Sequence, residues 1–129
     1  MPSPPRLPPR GALSLLLAAP LLAGCLSFHT GAMEGEPKTA RFANLEGARV
    51  RYVDLPAAAD EGGPPVLFIH GFASLLESFL PVIEEVRKTH RVIALDLKGF
   101  GHTDRPAPTD DAHDYSPPAQ AKIVAGLLD

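Results

Sequence analysis

Two patterns of hydrophobic and polar residues divide the middle of the chain into predicted strands. Residues 39–45 and 48–53 mix apolar and charged positions at near two-residue alternation around Glu46-Gly47. This pattern is typical of half-exposed strands in an antiparallel hairpin. Residues 66–69 and 92–95 are instead continuous apolar runs. Such runs favour parallel strands that are buried on both faces of a sheet.

Between the two apolar runs, hydrophobic residues recur at helical spacing and charged residues occupy the opposite face. An amphipathic helix between two buried strands predicts a right-handed parallel crossover. Ser74 and Glu77 fit a capping box at the start of this helix, whereas Pro81 would either kink it or mark a later start. The apolar face consists of Leu75, Leu76, Phe79, Val82, Ile83 and Val86.

A second helix is predicted over the last residues, where Ser116 has the position of an N-cap and is followed by two prolines in the first turn. Its apolar face consists of Ile123, Val124, Leu127 and Leu128. We expect this helix to be still running at Asp129. Strands that alternate with helices predict an α/β fold, here an antiparallel hairpin followed by strand, helix, strand and helix.

Composition and charge narrow the possible functions. The chain has 129 residues, enough for one domain, and is 45% hydrophobic and 21% charged, as in globular proteins. Its formal net charge is −3 and no run of Lys or Arg forms a basic stripe. Nucleic acid is therefore not an expected partner, because binding to phosphates needs clustered positive charge. Cys25 is the only cysteine, so no intramolecular disulfide can form.

The first residues have the layout of a secretory signal, with Arg6 and Arg10 ahead of an apolar run over residues 12–23. That run is too short for a membrane-spanning helix. Its end, Leu22-Ala23-Gly24-Cys25, resembles the lipobox of bacterial lipoproteins, which implies lipidation of Cys25 and attachment to the periplasmic or cell-surface side of a bacterial membrane. The alternative is an ordinary cleaved signal with an incidental cysteine.

These features predict three segments along the chain. Residues 1–24 are expected to be the signal peptide. Residues 25–38 are expected to comprise the lipidated cysteine and a tether, because residues 26–38 are small, polar and without a sustained period. Residues 39–129 are expected to form a partial α/β domain.

Two motifs follow the two apolar runs. The first run opens into His70-Gly71-Phe72, and the second leads into residues 96–106, DLKGFGHTDRP. In this order, with a helix between them, the motifs resemble the third and fourth strands of the α/β-hydrolase fold, and the resemblance extends from about Thr39 to the end of the chain. It implies a hydrolase that needs no cofactor.

The resemblance also implies roles for the first motif. In this family, backbone N–H groups stabilise the oxyanion that forms when a nucleophile attacks the substrate. One of these groups comes from the loop after the third strand, and by position it is the N–H of Phe72. Gly71 would permit the tight backbone course of this loop, and His70 would hold the shape of the loop and transfer no protons.

Other interpretations of the motifs have less support. His70 could be a solvated loop residue or a metal ligand, but no partner lies at a spacing such as H-E-x-x-H. Gly99-Phe100-Gly101 lacks the third glycine of a dinucleotide-binding loop. The favoured interpretation is a tight turn in which Asp96 and Asp104 hydrogen-bond to local backbone.

A complete catalytic triad is missing from the predicted site. No serine lies in G-x-S-x-G, and in the family the nucleophile, acid and histidine follow the helix at the end of this chain. His90, His102 and His113 therefore cannot be assigned as the catalytic histidine. Without a fifth strand, residues 66–69 would form an exposed edge.

The sequence thus predicts the N-terminal fragment of a lipid-anchored hydrolase that is inactive alone. A small-molecule substrate would bind only in a full-length parent, with either Ser or Asp as the nucleophile. The substrate itself is not predicted. The alternative is a non-catalytic lipoprotein, either a remnant or a binding module, which would bury the exposed strand against a partner.

Overall fold

The part of the chain that can be described begins just after the predicted lipidation site. The computed structural model describes residues 27–59, 62–109 and 114–129. The predicted signal peptide and Cys25 lie outside these residues. Within the described ranges, no helix combines the length and the hydropathy that crossing a membrane would require.

A mixed four-stranded sheet forms the centre of the structure, and its strands lie in the order β1-β2-β4-β3. β1 pairs with β2, and β2 with β4, in antiparallel orientation, whereas β3 and β4 are parallel. This arrangement confirms the predicted α/β fold with an opening antiparallel hairpin. The strands are β1 (Arg41–Leu45), β2 (Ala48–Leu55), β3 (Gly63–Ile69) and β4 (His90–Leu95).

The turn between β1 and β2 accounts for the hairpin that the sequence predicts around Glu46-Gly47. Leu45 faces Ala48 across the pair, so the loop has only two residues. Both adopt positive φ, 46° at Glu46 and 71° at Gly47. This is the geometry of a type I′ turn, whose twist matches that of the flanking strands.

The two apolar runs differ in burial because they occupy different places in the sheet. Val92, Ile93, Ala94 and Leu95 of β4 are all buried, as predicted for a strand with neighbours on both sides. β3 is an edge strand among the described residues, and 49% of Ile69 is exposed. The prediction that residues 66–69 are buried on both faces is therefore wrong, whereas the prediction of an exposed edge is confirmed.

The edge position also accounts for the unexpected start of β3. The strand begins at Gly63, three residues before the apolar run, and includes Pro64 and Pro65. The register with β4 shifts between Gly63 and Val66. Proline cannot donate to a ladder, so an edge strand with such an irregularity is where it is tolerated.

The segment between β3 and β4 is a short 3-10 helix, Leu76–Phe79, followed by helix α1, Leu80–Val86. Pro81 lies in the first turn of α1, so it marks a later helix start and not a kink. The predicted capping box is absent. Ser74 Oγ instead lies 2.9 Å from Ser78 Oγ, and Glu77 forms an ion pair with Arg51.

Helix α2, Pro117–Leu128, begins as predicted. The side chain of Ser116 accepts a hydrogen bond from the N–H of Ala119 at 3.4 Å, and Pro117 occupies the first turn. Gln120 connects α2 to the loop after β4, because its side chain accepts from Lys98 N at 3.1 Å and donates to Lys98 O at 3.0 Å. The helix is thus fixed at its N-terminus and along its first turn.

The helices cover opposite faces of the sheet, which follows from the alternation of side chains along β4. Val92 and Ala94 pack with Leu76 and Ile83 from the 3-10 helix and α1. Leu95 points to the other face, where it packs with Ile123 of α2 and with two residues of β2, Ala48 and Val50. Each large apolar side chain that is fully buried in these clusters contributes about 1.5–3 kcal/mol.

Residues 27–38, predicted to belong to a tether, lie against the domain. His29 and Arg105 exchange two backbone hydrogen bonds of 2.9 Å each. The N–H of Gly31 donates to Asp104 Oδ1 at 2.8 Å, and Glu36 pairs with Arg49 at 2.6 Å. Composition gave no sign of these contacts, because each depends on a residue distant in sequence.

Candidate active site

Two loops meet at the carboxyl ends of β3 and β4. Because these strands are parallel and Ile69 lies beside Leu95, the loop that begins at His70 and the loop that begins at Asp96 leave the sheet at the same level. The carboxyl ends of parallel strands are where α/β proteins bind ligands. The two motifs found in the sequence are thus brought together here.

His70 is held at both ring nitrogens and only 2% of it is exposed. Leu97 donates its N–H to Nε2 at 2.9 Å, so Nε2 must be unprotonated and the proton lies on Nδ1. Nδ1 then donates to the carbonyl oxygen of Gly71 at 2.8 Å. The ring also contacts the edge of Phe100, with centroids 5.4 Å apart. No nitrogen of this neutral imidazole is left for a substrate proton or a metal.

Phe72 projects from the same loop and is 94% exposed. Its ring lies 6.0 Å from that of Phe100, close to perpendicular. No acceptor in the described part of the chain takes the N–H of Phe72 in a hydrogen bond. Ala73, the next residue, has a φ of 56°, a conformation that costs a non-glycine residue roughly 1–3 kcal/mol and clusters at functional sites.

The left-handed residue of this loop is therefore Ala73 and not Gly71. Gly71 has no positive φ, and a Cβ built on it would meet nothing within 4 Å. That Gly71 permits a tight backbone course of the loop stays a prediction. Because it has no side chain, Gly71 leaves open space at the wall of the cleft that it lines.

A cleft of about 750 Å³ opens between the His70 loop, the loop after β4 and the N-terminal half of α2. This volume is in the range of small-molecule sites. Burial raises the pKa of the Tyr115 phenol in its wall above the ordinary value of 10.0, and its hydroxyl donates to the carbonyl of Pro106. Most lining residues are apolar, namely Phe28, Ile69, Phe72, Leu97, Phe100, Pro108, Pro117, Ala121 and Val124.

The side chain of Asp96 connects the segment that follows the His70 loop with the loop after β4. Its side chain is fully buried, and Oδ1 accepts the N–H of Leu76, just beyond the His70 loop, at 2.7 Å. Oδ2 accepts from His102 N at 3.0 Å and from Arg51 Nη1 at 3.2 Å. The prediction of local backbone bonding is confirmed for His102, but Leu76 and Arg51 are distant in sequence.

The side chain of Asp104 bonds to distant backbone only, so the prediction that this side chain bonds to local backbone is wrong. Its two oxygens accept the N–H groups of Gly31 at 2.8 Å and of Arg49 at 3.0 Å. These residues lie in the N-terminal segment and in β2. The carboxylate of Asp104 therefore attaches the loop to the N-terminal segment and to β2, whereas its carbonyl oxygen accepts the N–H of Gly99 within the turn at 2.9 Å.

The two glycines of the second loop are required by space and by conformation. Gly99 has a φ of 89°, and a Cβ there would lie 2.9 Å from the ring of Tyr115. Gly101 has a φ of 52°, and a Cβ there would lie 2.3 Å from Cγ of Asp96. The buried carboxylate of Asp96 fills the space beside Gly101. A phosphate group would not bind there, because like charges repel.

Arg51 is the residue of this site that sequence reasoning missed. The alternation of β2 placed it among half-exposed positions, yet it is 6% exposed. Its guanidinium bridges Asp96 and Glu77. A buried arginine needs carboxylate partners, but nothing in the sequence indicated which acidic residues would provide them.

The remaining histidines and serines do not form a nucleophile–base pair among the described residues. His90 begins β4, at the opposite end of the sheet from the cleft, and contacts Thr89 Oγ1. His102 donates its N–H to Asp96, and His113 lies outside the described residues. Throughout residues 27–59, 62–109 and 114–129, no group of three or more His, Cys, Asp or Glu side chains could hold a metal ion.

Comparison with known proteins agrees with this architecture. The family model of the alpha/beta hydrolase fold matches residues 64–129, about half of the chain. The matched region contains β4, both helices, nearly all of β3 and both loops of the cleft. The chain therefore belongs to the α/β hydrolase fold family.

Individual relatives come from several organisms. The mesoderm-specific transcript protein of Mus musculus is 36% identical over 119 residues, which are 88% of this chain and 34% of the relative. Epoxide hydrolase 4 of Mus musculus is 41% identical over 61 residues, 47% of this chain and 16% of the relative. The crystal structure of the Cif epoxide hydrolase from Acinetobacter nosocomialis superposes with a TM-score of 0.56 and 28% identity, covering 99% of this chain and 36% of that one. The chain thus spans about a third of the length of the first of these relatives and of this structure.

Proposed function

We propose that this chain provides the oxyanion-binding half of a cofactor-free hydrolase site in a lipid-anchored protein. The bond cleaved is an ester or a related bond of a small, largely apolar molecule. The nucleophile, the acid and the catalytic histidine belong to a longer parent, so this chain alone does not turn over substrate. Similarity to epoxide hydrolases supports this class of chemistry.

The observation that carries the proposal is the Phe72 N–H, which has no acceptor among the described residues and lies in a residue at the cleft wall. Catalysis by an oxyanion hole needs a donor that is fixed before the reaction, so that no reorganisation is required in the transition state. His70 supplies this fixation, because its two hydrogen bonds hold the loop to Gly71 and Leu97. In this proposal Phe72 binds the oxyanion through its backbone, and His70 and Gly71 support it.

The test of this role uses a substitution that removes the N–H and a matched one that keeps it. Phe72→Pro lacks the donor, whereas Phe72→Ala shortens the same side chain and retains the donor. Sequencing the source DNA past the Asp129 codon supplies the parent, recognised by G-x-S-x-G or its Asp counterpart followed by Asp and His. In that parent, Phe72→Pro should lower kcat about 10²–10³-fold. Equal kcat values for the two variants would refute the oxyanion role.

Inactivity of the chain alone has a simpler test. Hydrolysis of a short-chain p-nitrophenyl ester by the purified chain should not exceed the rate in buffer. Turnover that a serine-reactive fluorophosphonate abolishes would show that the nucleophile is present and would refute this part of the proposal.

Anchoring through Cys25 is a separate part of the proposal and rests on the resemblance of residues 22–25 to a lipobox. Two or more acyl chains would attach the chain stably to a membrane, because each buried methylene contributes about 0.8 kcal/mol. Metabolic labelling with an alkynyl fatty acid should mark the chain and should fail with Cys25→Ala. Label that survives this substitution would contradict the assignment.

A further inference from the structure

The chain enters the described structure at the rim of the cleft. Ser27 and Phe28 line the cleft, and the next residue, His29, is fixed to Arg105 by two backbone hydrogen bonds. Gly31 is then fixed to Asp104. A tether of residues 25–38 would let the domain rotate freely on its anchor, but these contacts fix the chain to the domain from His29 onward.

The length of that linker limits where a lipid on Cys25 can lie. Two residues, Leu26 and Ser27, lie between Cys25 and Phe28, so three Cα–Cα steps join them, and a fully extended chain spans at most about 3.6 Å per step. The Cα atom of Cys25 therefore lies within about 11 Å of that of Phe28, whatever the conformation between them. A lipid on Cys25 would therefore hold the rim of the cleft close to the membrane surface.

The chemistry of the rim fits a lipid surface. Phe72 is 94% exposed and Phe28 is 49% exposed, yet both line the same cleft. Exposed apolar patches of this kind mark interaction sites, and apolar aromatic side chains are among those that proteins insert into the headgroup boundary of a membrane. Although the chain has a net charge of −3, the cleft lining contains Arg105 and no acidic residue among those described.

We infer that the side of the domain bearing Phe28 and Phe72 lies against the bilayer, so that the cleft opens toward lipid. The inference rests on the proposed lipidation of Cys25. It deepens the proposed function by naming the source of the substrate, a small apolar molecule that enters the cleft from the membrane and not from water.

The experiment exploits the absence of tryptophan from the chain. Phe72→Trp places one fluorophore on the rim, and Val82→Trp places one at a half-exposed position of α1 outside the cleft. The full chain is produced in a bacterial host that lipidates it, its mass is measured, and it is reconstituted in phosphatidylcholine–phosphatidylglycerol vesicles with brominated acyl chains. Brominated lipid should reduce the emission of the Phe72→Trp variant and leave that of the Val82→Trp variant unchanged.

Each other outcome has a distinct meaning. If the mass shows lipidation but the rim fluorophore is not quenched, or both variants are quenched equally, the membrane-facing cleft is refuted and the anchor stands. Shielding of the rim fluorophore from both brominated lipid and aqueous acrylamide would mean that protein covers the rim, which also overturns the inference. A mass without lipid removes the premise and refutes the proposed anchor together with the inference.

Discussion

Asp96→Asn is the substitution that most directly tests how the two loops of the site are held. The carboxylate is fully buried and accepts three hydrogen bonds, two from backbone N–H groups and one from Arg51. An amide offers one acceptor oxygen, and its NH₂ group would face a second donor. Asparagine can therefore satisfy Leu76 on one side or His102 and Arg51 on the other, but not both sides.

The expected loss of stability follows from burial. Removing one partner of a buried ion pair costs about 3–5 kcal/mol, because the other charge is left uncompensated. Glu77 still pairs with Arg51 after the substitution, which places the expected loss toward the lower end of that range. Since the free energy of unfolding of small domains is about 5–15 kcal/mol, a loss of this size removes a large fraction of the stability.

The assay is urea unfolding followed by circular dichroism. With a slope of about 2 kcal/mol per molar urea, the midpoint of Asp96→Asn should fall by about 1.5–2 M. Asp54→Asn is the matched control, because Asp54 also pairs with an arginine, Arg91, at 2.8 Å but on the surface, where such pairs contribute little. Similar midpoints for the two variants would refute the claim that burial of Asp96 makes its contacts important.

Two further predictions concern the second loop and the surface pair. Gly101→Ala should destabilise the chain clearly more than Gly47→Ala in the same urea assay. Both glycines have positive φ, a conformation that costs alanine about 1–2 kcal/mol, but only at Gly101 would the new Cβ also collide with Asp96. Equal losses would show that Asp96 moves aside freely. The hydrogen bond and charge of Arg91 hold the pKa of Asp54 below its ordinary value of 3.8, so the stabilisation by this pair is present above that value and is lost as the pH falls through the lowered one. A carboxyl-carbon NMR titration should show this lowered pKa returning toward 3.8 in Arg91→Gln, and an unchanged titration would contradict the pairing.

The elements predicted correctly are those whose signals are local in sequence. The hairpin between β1 and β2 needs only Glu46 and Gly47 at its turn, and the N-terminus of α2 needs only Ser116 and the prolines that follow. The burial of residues 92–95 follows from a continuous apolar run. In each case the residues that determine the structure are neighbours along the chain, so pattern and turn chemistry were sufficient.

The features that were missed depend on contacts between distant residues. Ser74 and Glu77 have the spacing of a capping box, but Glu77 pairs with Arg51 and the spacing alone could not show this competition. Residues 66–69 have the same composition whether they lie in the centre or at the edge of a sheet. Asp104 has the composition of a turn residue, but its carboxylate bonds to the N-terminal segment and to β2.

These distant contacts determine the geometry on which the proposed site depends. The loop of Phe72 is held by Leu97 through His70 and, just beyond it, by Asp96 through Leu76. Both of these anchors belong to the loop after β4, which is itself attached to β2 through Arg51 and Asp104. All of these residues lie within the described chain. Within the described residues, the loop that carries the proposed oxyanion donor is therefore held by contacts that reach the loop after β4 and, through it, β2.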